Sequence, residues 1–149
     1  MKAGFEGRAY SPWRHWYRRV LPAYWVYLFC ITHFPGLQVR MGSLPIDKVL
    51  HALFFGLLAF LFWRFAETFR KPAPGWLALV ALVWIGAYAA ADEWTQDYFR
   101  RGTDPEDWVA DMVGVAAVLG VLEWRRRVNA RHMAAAVGEQ AVDSTARAR

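Results

Sequence analysis

The amino-acid sequence predicts an all-α fold: an integral membrane bundle of four short transmembrane helices with both termini in the cytoplasm. Three observations predict it. The chain of 149 residues is 56% apolar and 17% aromatic, its apolar residues form four separate blocks, and tryptophans stand at the ends of these blocks. A chain of this length holds one domain. Its apolar content excludes a protein that is mainly disordered, because disordered chains have low hydrophobicity.

The four apolar blocks are residues 20–34, 49–65, 76–91 and 108–122. A helix of this length measures about 22–26 Å, somewhat less than the roughly 30 Å hydrocarbon core of a bilayer. Trp63 and Trp76 flank one connection and Trp124 follows the last block, which is typical of the aromatic belt at a membrane interface. The third block lacks the polar face of a soluble bundle helix. The blocks are therefore predicted to span a membrane.

The basic residues predict the orientation of the bundle. Fourteen of the eighteen Lys and Arg residues lie before the first block, between the second and third blocks (counting Arg64 at the end of the second), or after the fourth. The other four are Arg40, Lys48, Arg100 and Arg101. Basic residues are retained on the cytoplasmic side, so both termini are predicted to be cytoplasmic. Topology thus accounts for the net charge of +5, and no nucleic-acid partner is predicted.

The same patterns divide the chain into three segments. Residues 1–19 are a basic, aromatic juxtamembrane arm, residues 20–124 the four-span membrane domain, and residues 125–149 a basic, partly disordered cytoplasmic tail. Within the membrane domain, the only cysteine, Cys30, is expected to be a small core residue, and His33 is expected at the interface.

Acidic residues gather near the predicted outer ends of the spans. Eight of the thirteen are Asp47, Asp92, Glu93, Asp97, Asp104, Glu106, Asp107 and Asp111. Ionisable groups close to hydrocarbon are costly, so they pair with one another or mark a function. Three short motifs among them are informative.

The first motif, Asp47-Lys48-x-x-His51, opens the second block. Asp47 and His51 are four residues apart and therefore share a helical face. Asp47 also suits the first turn of a helix, where a carboxylate is stabilised. A helix cap beside a boundary histidine is the structural alternative to a functional pair.

The second motif, Asp92-Glu93-x-x-Gln96, closes the third block. Glu93 shares a helical face with Gly86 and Ala90, and small residues at this spacing let membrane helices approach closely. Glu93 is therefore expected to point into the bundle, where it needs a polar partner. Asp92, about 100° further round the helix, is expected to face the surface.

The third motif opens the fourth block and consists of Asp107, Asp111 and Gly114 on one helical face. The N-terminus of a helix stabilises negative charge there. An aspartate that only supports the outer loop by hydrogen bonding is the structural alternative. In the predicted orientation the three motifs meet at the outer membrane boundary.

The chemistry of these groups remains open at this stage. Asp47, His51, Glu93, Asp107 and Asp111 offer carboxylate oxygens and one imidazole, which suffice for a divalent metal. They can equally form a structural network with Lys48, Arg100 and Arg101. As candidate catalytic residues we select His51, Glu93 and Asp111, and as ligand or polar-network residues Asp47, Lys48, Gln96, Arg100, Arg101 and Asp107. The sequence identifies neither a metal nor a cofactor.

In these residues the sequence resembles the VanZ-like family of small bacterial membrane proteins. The family pattern is Asp-Lys-x-x-His opening one helix, Glu-x-x-Gln closing the next, an arginine in the following loop, then an aspartate, an Asn or Asp four residues later, and a glycine three further on. The corresponding residues are Asp47, Lys48, His51, Glu93, Gln96, Arg100 or Arg101, Asp107, Asp111 and Gly114. The loop lacks the family's Val-Pro-Gly-Arg, and its spacing to Asp107 favours Arg101 as the family arginine.

The resemblance implies a multi-pass protein of the bacterial cytoplasmic (inner) membrane with a role in the cell envelope. The family's namesake is associated with resistance to teicoplanin. Three classes of function follow. The first is a non-catalytic factor in contact with membrane lipid that binds a lipid-linked envelope precursor or a glycopeptide. The second is a membrane hydrolase or lipid-modifying enzyme. The third is a small transporter or proton relay, for which four short spans offer little room unless the protein forms an oligomer.

Overall fold

The computed structural model describes residues 13–33, 46–69, 73–96, 98 and 104–147. These residues form four α-helices and no strand. The helices are α1 (Trp13–His33), α2 (Ile46–Ala66), α3 (Leu77–Gln96) and α4 (Pro105–Arg147). The prediction of an all-α fold with one helix for each apolar block is therefore confirmed.

All four helices are longer than the apolar blocks that predict them. The expected boundary between arm and membrane domain, at residues 19 and 20, falls inside α1. The boundary between membrane domain and tail, at residues 124 and 125, falls inside α4, which continues as a helix to Arg147. Helical backbone therefore runs through both boundaries without a break.

Two of the helices are long and apolar enough to cross a membrane. They are α2 and α3, with mean hydropathy of 1.9 and 1.4 over their most apolar stretches. Helices α1 and α4 combine an apolar block with a basic segment, so their described residues are more polar on average.

Helix α2 lies at the centre of the bundle and contacts the other three helices, α4 most extensively. The core contains the fully buried side chains of Leu28, Phe55, Ile85 and Val115, which come from all four helices. Large apolar side chains on the outside remain exposed, among them Leu53, Leu79, Val83 and Trp84. An exterior with so much apolar surface is unusual for a soluble monomer. Cys30 lies on this exposed exterior, so its predicted place in the core is wrong.

A glycine allows α2 and α4 to touch. A Cβ atom at Gly114 would overlap the carbonyl oxygen of Ala52, and one at Gly56 would lie 3.3 Å from the carbonyl oxygen of Gly114. Any side chain at position 114 would therefore push the two backbones apart. Small residues at helix crossings permit this kind of approach between membrane helices.

The helix directions place the polar motifs together. Residues 46–51 begin α2, residues 92–96 end α3 and residues 105–111 begin α4, and hydrogen bonds and ion pairs join these three segments. We call this the His51 end of the bundle. At the opposite end the guanidinium of Arg18 donates to the hydroxyl of Thr68 over 3.0 Å.

Candidate functional site

His51 stands at the centre of the polar residues at this end. Its Nδ1 lies 3.0 Å from Oδ1 of Asp111, and its Nε2 lies 3.6 Å from Oδ2 of Asp107. The two aspartates are one turn apart on α4, so they reach the two sides of the same imidazole ring. The contact at Gly114, less than one turn beyond Asp111, brings the backbones of α2 and α4 close enough for this arrangement.

Lys48 binds the start of α4. Its Nζ lies 2.8 Å from Oδ2 of Asp104, 2.9 Å from Oδ1 of Asp107 and 3.3 Å from Oε2 of Glu106. These carboxylates occupy the cap and first turn of the helix, where negative charge is stabilised. The lysine therefore fixes the N-terminus of α4 against α2.

Asp104 is the N-cap of α4. Its Oδ1 accepts a hydrogen bond of 2.9 Å from the backbone N–H of Glu106, and Pro105 occupies the first helical position, which is the usual arrangement at a helix start. The hydrogen bond from Lys48, followed by that from the Glu106 N–H, lowers the pKa of Asp104 below its ordinary value. The capping residue is thus held as a carboxylate.

Glu93 points into the bundle, as its helical face predicts, and is buried. Its Oε2 accepts a hydrogen bond of 3.3 Å from the backbone N–H of Asp104. Its other oxygen, Oε1, is buried and accepts no hydrogen bond from the described residues, and the same holds for Oδ2 of Asp111. Two carboxylate oxygens in the interior thus lack the donors that buried polar atoms normally have.

One potential ligand atom from each of His51, Glu93 and Asp111 lies within 4.8 Å of the other two, and all three residues are buried. We call these residues the His51 cluster. Helices α2, α3 and α4 each contribute one member. Asp47, His51 and Asp107 form a second group of the same size, but Asp47 is exposed.

Asp92 is buried, with only 3% of its surface exposed, so the prediction that it faces the surface is wrong. Its Oδ1 accepts hydrogen bonds from the hydroxyls of Thr32 and Tyr88, each over 3.2 Å. Asp92 lies about 100° round the helix from Glu93. Its side chain therefore points toward α1, which packs against this part of α3. We call Thr32, Tyr88, Asp92 and Gln96 the Asp92 cluster.

Gln96 belongs to the Asp92 cluster rather than to the His51 cluster. Its Nε2 donates to Oδ2 of Asp92 over 3.2 Å. His33, which is predicted at the interface, is also buried, and its Nε2 lies 2.9 Å from the hydroxyl of Thr95. The sequence contains a signal for this second polar site, namely the pair Thr32-His33 at the end of the first apolar block. Two polar residues are not expected there if both face lipid.

The structure thus brings together most of the residues that the motifs select. Those that meet at the His51 end are Asp47, Lys48, His51, Glu93, Asp107 and Asp111. Asp104 and Glu106 join them, although both belong only to the acidic group of the sequence and to none of the three motifs. Arg100 and Arg101 lie outside the described residues.

The arrangement has two chemical capacities. If Nδ1 of His51 carries its proton, it donates to Asp111, and Nε2 is then left with a lone pair that can accept a proton. If Nδ1 carries a lone pair, it faces the same direction as the carboxylate oxygens and can join them in binding a cation. A hydrogen-bonded imidazole of this kind serves either acid–base or ligand-binding chemistry.

Comparison with known proteins identifies the family. The sequence profile of the VanZ/LLP1 family matches residues 7–126. The chain belongs to the VanZ/LLP1 family. The match contains all three motifs of the site and extends over α1, α2, α3 and the first half of α4. Neither the curated proteins nor the solved structures that were compared gave a match. Membership of the VanZ/LLP1 family and the two apolar helices α2 and α3 together support a membrane location.

Proposed function

We propose that this VanZ/LLP1 protein is a four-span protein of the bacterial cytoplasmic membrane that binds a polar ligand of the cell envelope. The His51 cluster would be the binding site, located at the extracytoplasmic boundary. A lipid-linked envelope precursor or a glycopeptide such as teicoplanin would be the ligand, and binding would lower susceptibility to the glycopeptide.

The basic residues support the orientation. They are concentrated at the end opposite His51 and along the second half of α4, which supports a cytoplasmic location for that end. The test is cysteine accessibility in intact cells, in a Cys30→Ser background. Tyr98→Cys, whose position is exposed at the His51 end, should react with a membrane-impermeant maleimide, and Thr145→Cys should react only after lysis. Labelling of Thr145→Cys in intact cells would contradict the orientation.

One observation carries the binding proposal: Oε1 of Glu93 and Oδ2 of Asp111 are buried acceptors to which none of the described residues donates. A buried acceptor that gains a donor recovers the free energy lost by its desolvation. Peptide N–H and ammonium groups are suitable donors, and both envelope precursors and glycopeptides carry such groups.

The experiment compares Glu93→Gln and Asp111→Asn with Asp92→Asn, each expressed in a teicoplanin-susceptible bacterium. The first two substitutions keep the shape of the side chain and remove the charge from the His51 cluster, while the third removes a buried charge from the neighbouring cluster. We expect wild type and Asp92→Asn to raise the minimal inhibitory concentration at least fourfold, and the other two to lose this effect at normal membrane abundance. Full protection by both Glu93→Gln and Asp111→Asn would contradict the proposal.

A second candidate function is a hydrolase or lipid-modifying enzyme. The contact of 3.0 Å between Nδ1 of His51 and Asp111 favours it, because a carboxylate on one ring nitrogen orients the other nitrogen as a general base. Mass spectrometry of membrane lipids and envelope precursors distinguishes the two. A product that accumulates with wild type and disappears with His51→Gln would favour the enzyme, and unchanged composition would favour the binding protein.

A further inference from the structure

We propose that the His51 cluster binds one divalent transition-metal ion, of the Mn²⁺ or Zn²⁺ class, through His51, Glu93 and Asp111. The proposal rests on the proposed function for the role of the ion, which would take the place of the ligand's N–H donors at the two buried carboxylate oxygens and would contact carboxylate or phosphate groups of the envelope ligand instead. Binding of the ion itself depends only on the geometry of the three side chains.

The distances fit a shared ion. Ligand atoms at about 2.0–2.2 Å from one ion can be at most about 4.4 Å apart, and adjacent ligands are about 3 Å apart. The three candidate ligand atoms all lie within 4.8 Å of one another, and Nδ1 of His51 is 3.0 Å from Oδ1 of Asp111. The 4.8 Å bound exceeds the 4.4 Å limit only slightly, so an ion would draw the three ligand atoms together.

The unmet hydrogen bonds point to a cation. Asp111 is 1% exposed and Glu93 is 7% exposed, and each has one buried oxygen without a donor among the described residues. Buried carboxylates are normally paired with a cation or bind a metal. The described lysine and arginine side chains form no ion pair with either residue, and the ammonium of Lys48 contacts Asp104, Glu106 and Asp107 instead.

The donor set indicates the kind of ion. Ca²⁺ and Mg²⁺ prefer oxygen ligands alone, whereas an imidazole among carboxylates favours a transition metal. The alternative group of Asp47, His51 and Asp107 is less suitable. Asp47 is exposed, and the ammonium of Lys48 lies 2.9 Å from Oδ1 of Asp107, so a second cation there would be repelled.

The experiment measures metal binding to the full-length protein purified in detergent. The protein is treated with a chelator, titrated with Mn²⁺ and followed by electron paramagnetic resonance, and Zn²⁺ is then added as a competitor. We expect one Mn²⁺ per chain, displaced by Zn²⁺, with a ¹⁴N coupling from the imidazole of His51. The ¹⁴N coupling is observed on the wild-type protein, so it does not depend on any variant folding.

The variants assign the ligands. Glu93→Gln and Asp111→Asn should each weaken Mn²⁺ binding at least tenfold, and His51→Gln should abolish the ¹⁴N coupling. Asp92→Asn and Asp47→Asn should stay within twofold of wild type. Gel filtration and circular dichroism of each variant separate loss of a ligand from loss of the fold.

Three results would overturn the proposal. One is the absence of stoichiometric Mn²⁺ or Zn²⁺ binding by the wild-type protein, and another is the absence of a ¹⁴N coupling. The third is a loss of affinity in Asp47→Asn but not in Glu93→Gln, which would place the ion on the other side of the ring. Teicoplanin protection without metal binding would refute the metal site alone. Metal binding without any protection would leave the metal site standing and refute the proposed function.

Discussion

Asp92 and Glu93 are neighbours in the sequence and are both buried near the end of α3, but their surroundings differ. Asp92 lies between α3 and α1 and accepts hydrogen bonds from Thr32, Tyr88 and Gln96. Glu93 lies where α3 meets α2 and α4, and from the described residues it accepts one hydrogen bond, donated by the backbone N–H of Asp104. Both oxygens of Asp92 therefore accept hydrogen bonds. In Glu93, the next residue, Oε1 accepts none from the described residues.

The difference supports a structural role for Asp92 and the proposed binding role for Glu93. A buried carboxylate whose oxygens all have donors contributes to the specificity of packing, and removing it leaves those donors unsatisfied. A carboxylate with an unsatisfied buried oxygen gains little stability from its charge, so another reason is needed for its presence. The Asp92 cluster fits the first description and the His51 cluster the second.

The largest effect is expected where α2 and α4 are in contact, because a side chain added there pushes the helix that carries His51 away from the helix that carries Asp111. Gly114→Ala should destabilise the protein by about 3 kcal/mol, the upper end of the cost of overpacking, because the new Cβ overlaps the carbonyl oxygen of Ala52. Gly120→Ala is the matched control, since no heavy atom lies within 4 Å of its added Cβ. Thermal unfolding in detergent measures both, and equal melting temperatures would contradict the predicted helix contact.

The next effect concerns the Asp92 cluster. Asp92→Leu should destabilise the protein by about 2–3 kcal/mol, because it leaves the amide of Gln96 and the hydroxyl of Tyr88 without their acceptor. Thr32 loses less, since its hydroxyl also reaches the carbonyl oxygen of Leu28. Glu93→Leu removes the acceptor of one described donor, the backbone N–H of Asp104. It should therefore lower the free energy of unfolding by less than Asp92→Leu in the same measurement. A larger loss for Glu93→Leu would reverse the roles of the two residues.

The isosteric changes in the His51 cluster should have a smaller effect on stability. Glu93→Gln and Asp111→Asn keep a carbonyl oxygen as acceptor and remove a buried charge, so the free energy of unfolding should stay within about 1 kcal/mol of wild type. Chemical or thermal unfolding of the metal-free protein provides the measurement. A loss of several kcal/mol in either variant would show that the charge is structural.

The smallest effect concerns a carboxylate at the other end of the bundle. Glu123 accepts hydrogen bonds from Arg126 and Arg127, which lower its pKa from 4.5 to about 2. The folded-state pKa is depressed, so these contacts stabilise α4 above about pH 4.5 and are lost as the pH falls toward 2. Pairs of this kind contribute about 0.2–0.5 kcal/mol each.

The measurement is circular dichroism of wild type and Glu123→Gln between pH 6 and pH 2. Wild type should have the higher helix content and melting temperature at pH 6, and the difference should vanish near pH 2. A difference between wild type and Glu123→Gln that grows on acidification would contradict the prediction.

The sequence predicts the helices of this protein well because the apolar blocks are uninterrupted and strongly hydrophobic. It also predicts that Glu93 points inward, although of the two small residues behind that prediction only Gly86 packs closely, against Met112, while Ala90 is exposed. Periodicity fixes the direction of each side chain relative to its own helix. Periodicity is therefore sufficient to predict the direction of the side chains wherever a motif lies on one face of a helix.

The Asp92 cluster could not be predicted in the same way. Asp92 and Glu93 point in directions 100° apart, and which of them faces a neighbour depends on where α1 packs. That position is a tertiary property, set by contacts such as the packing of Trp25 against Tyr88, and helical periodicity does not contain it. The assignment of Gln96 to Asp92 follows from the same packing.

Helix α4 is one uninterrupted helix of 43 residues, and it crosses α2 closely at Gly114. Asp107 and Asp111 lie on its short arm, while the long arm from Gly114 to Arg147 measures about 50 Å at 1.5 Å per residue. Beyond Gly114 the helix stays packed on the bundle, because Val115 and Leu119 are buried in the core and Val118 lies next to Gly56. After residue 128 the described side chains are exposed, so the last part of α4 extends from the bundle as a solvent-facing helix of about 28 Å at 1.5 Å per residue.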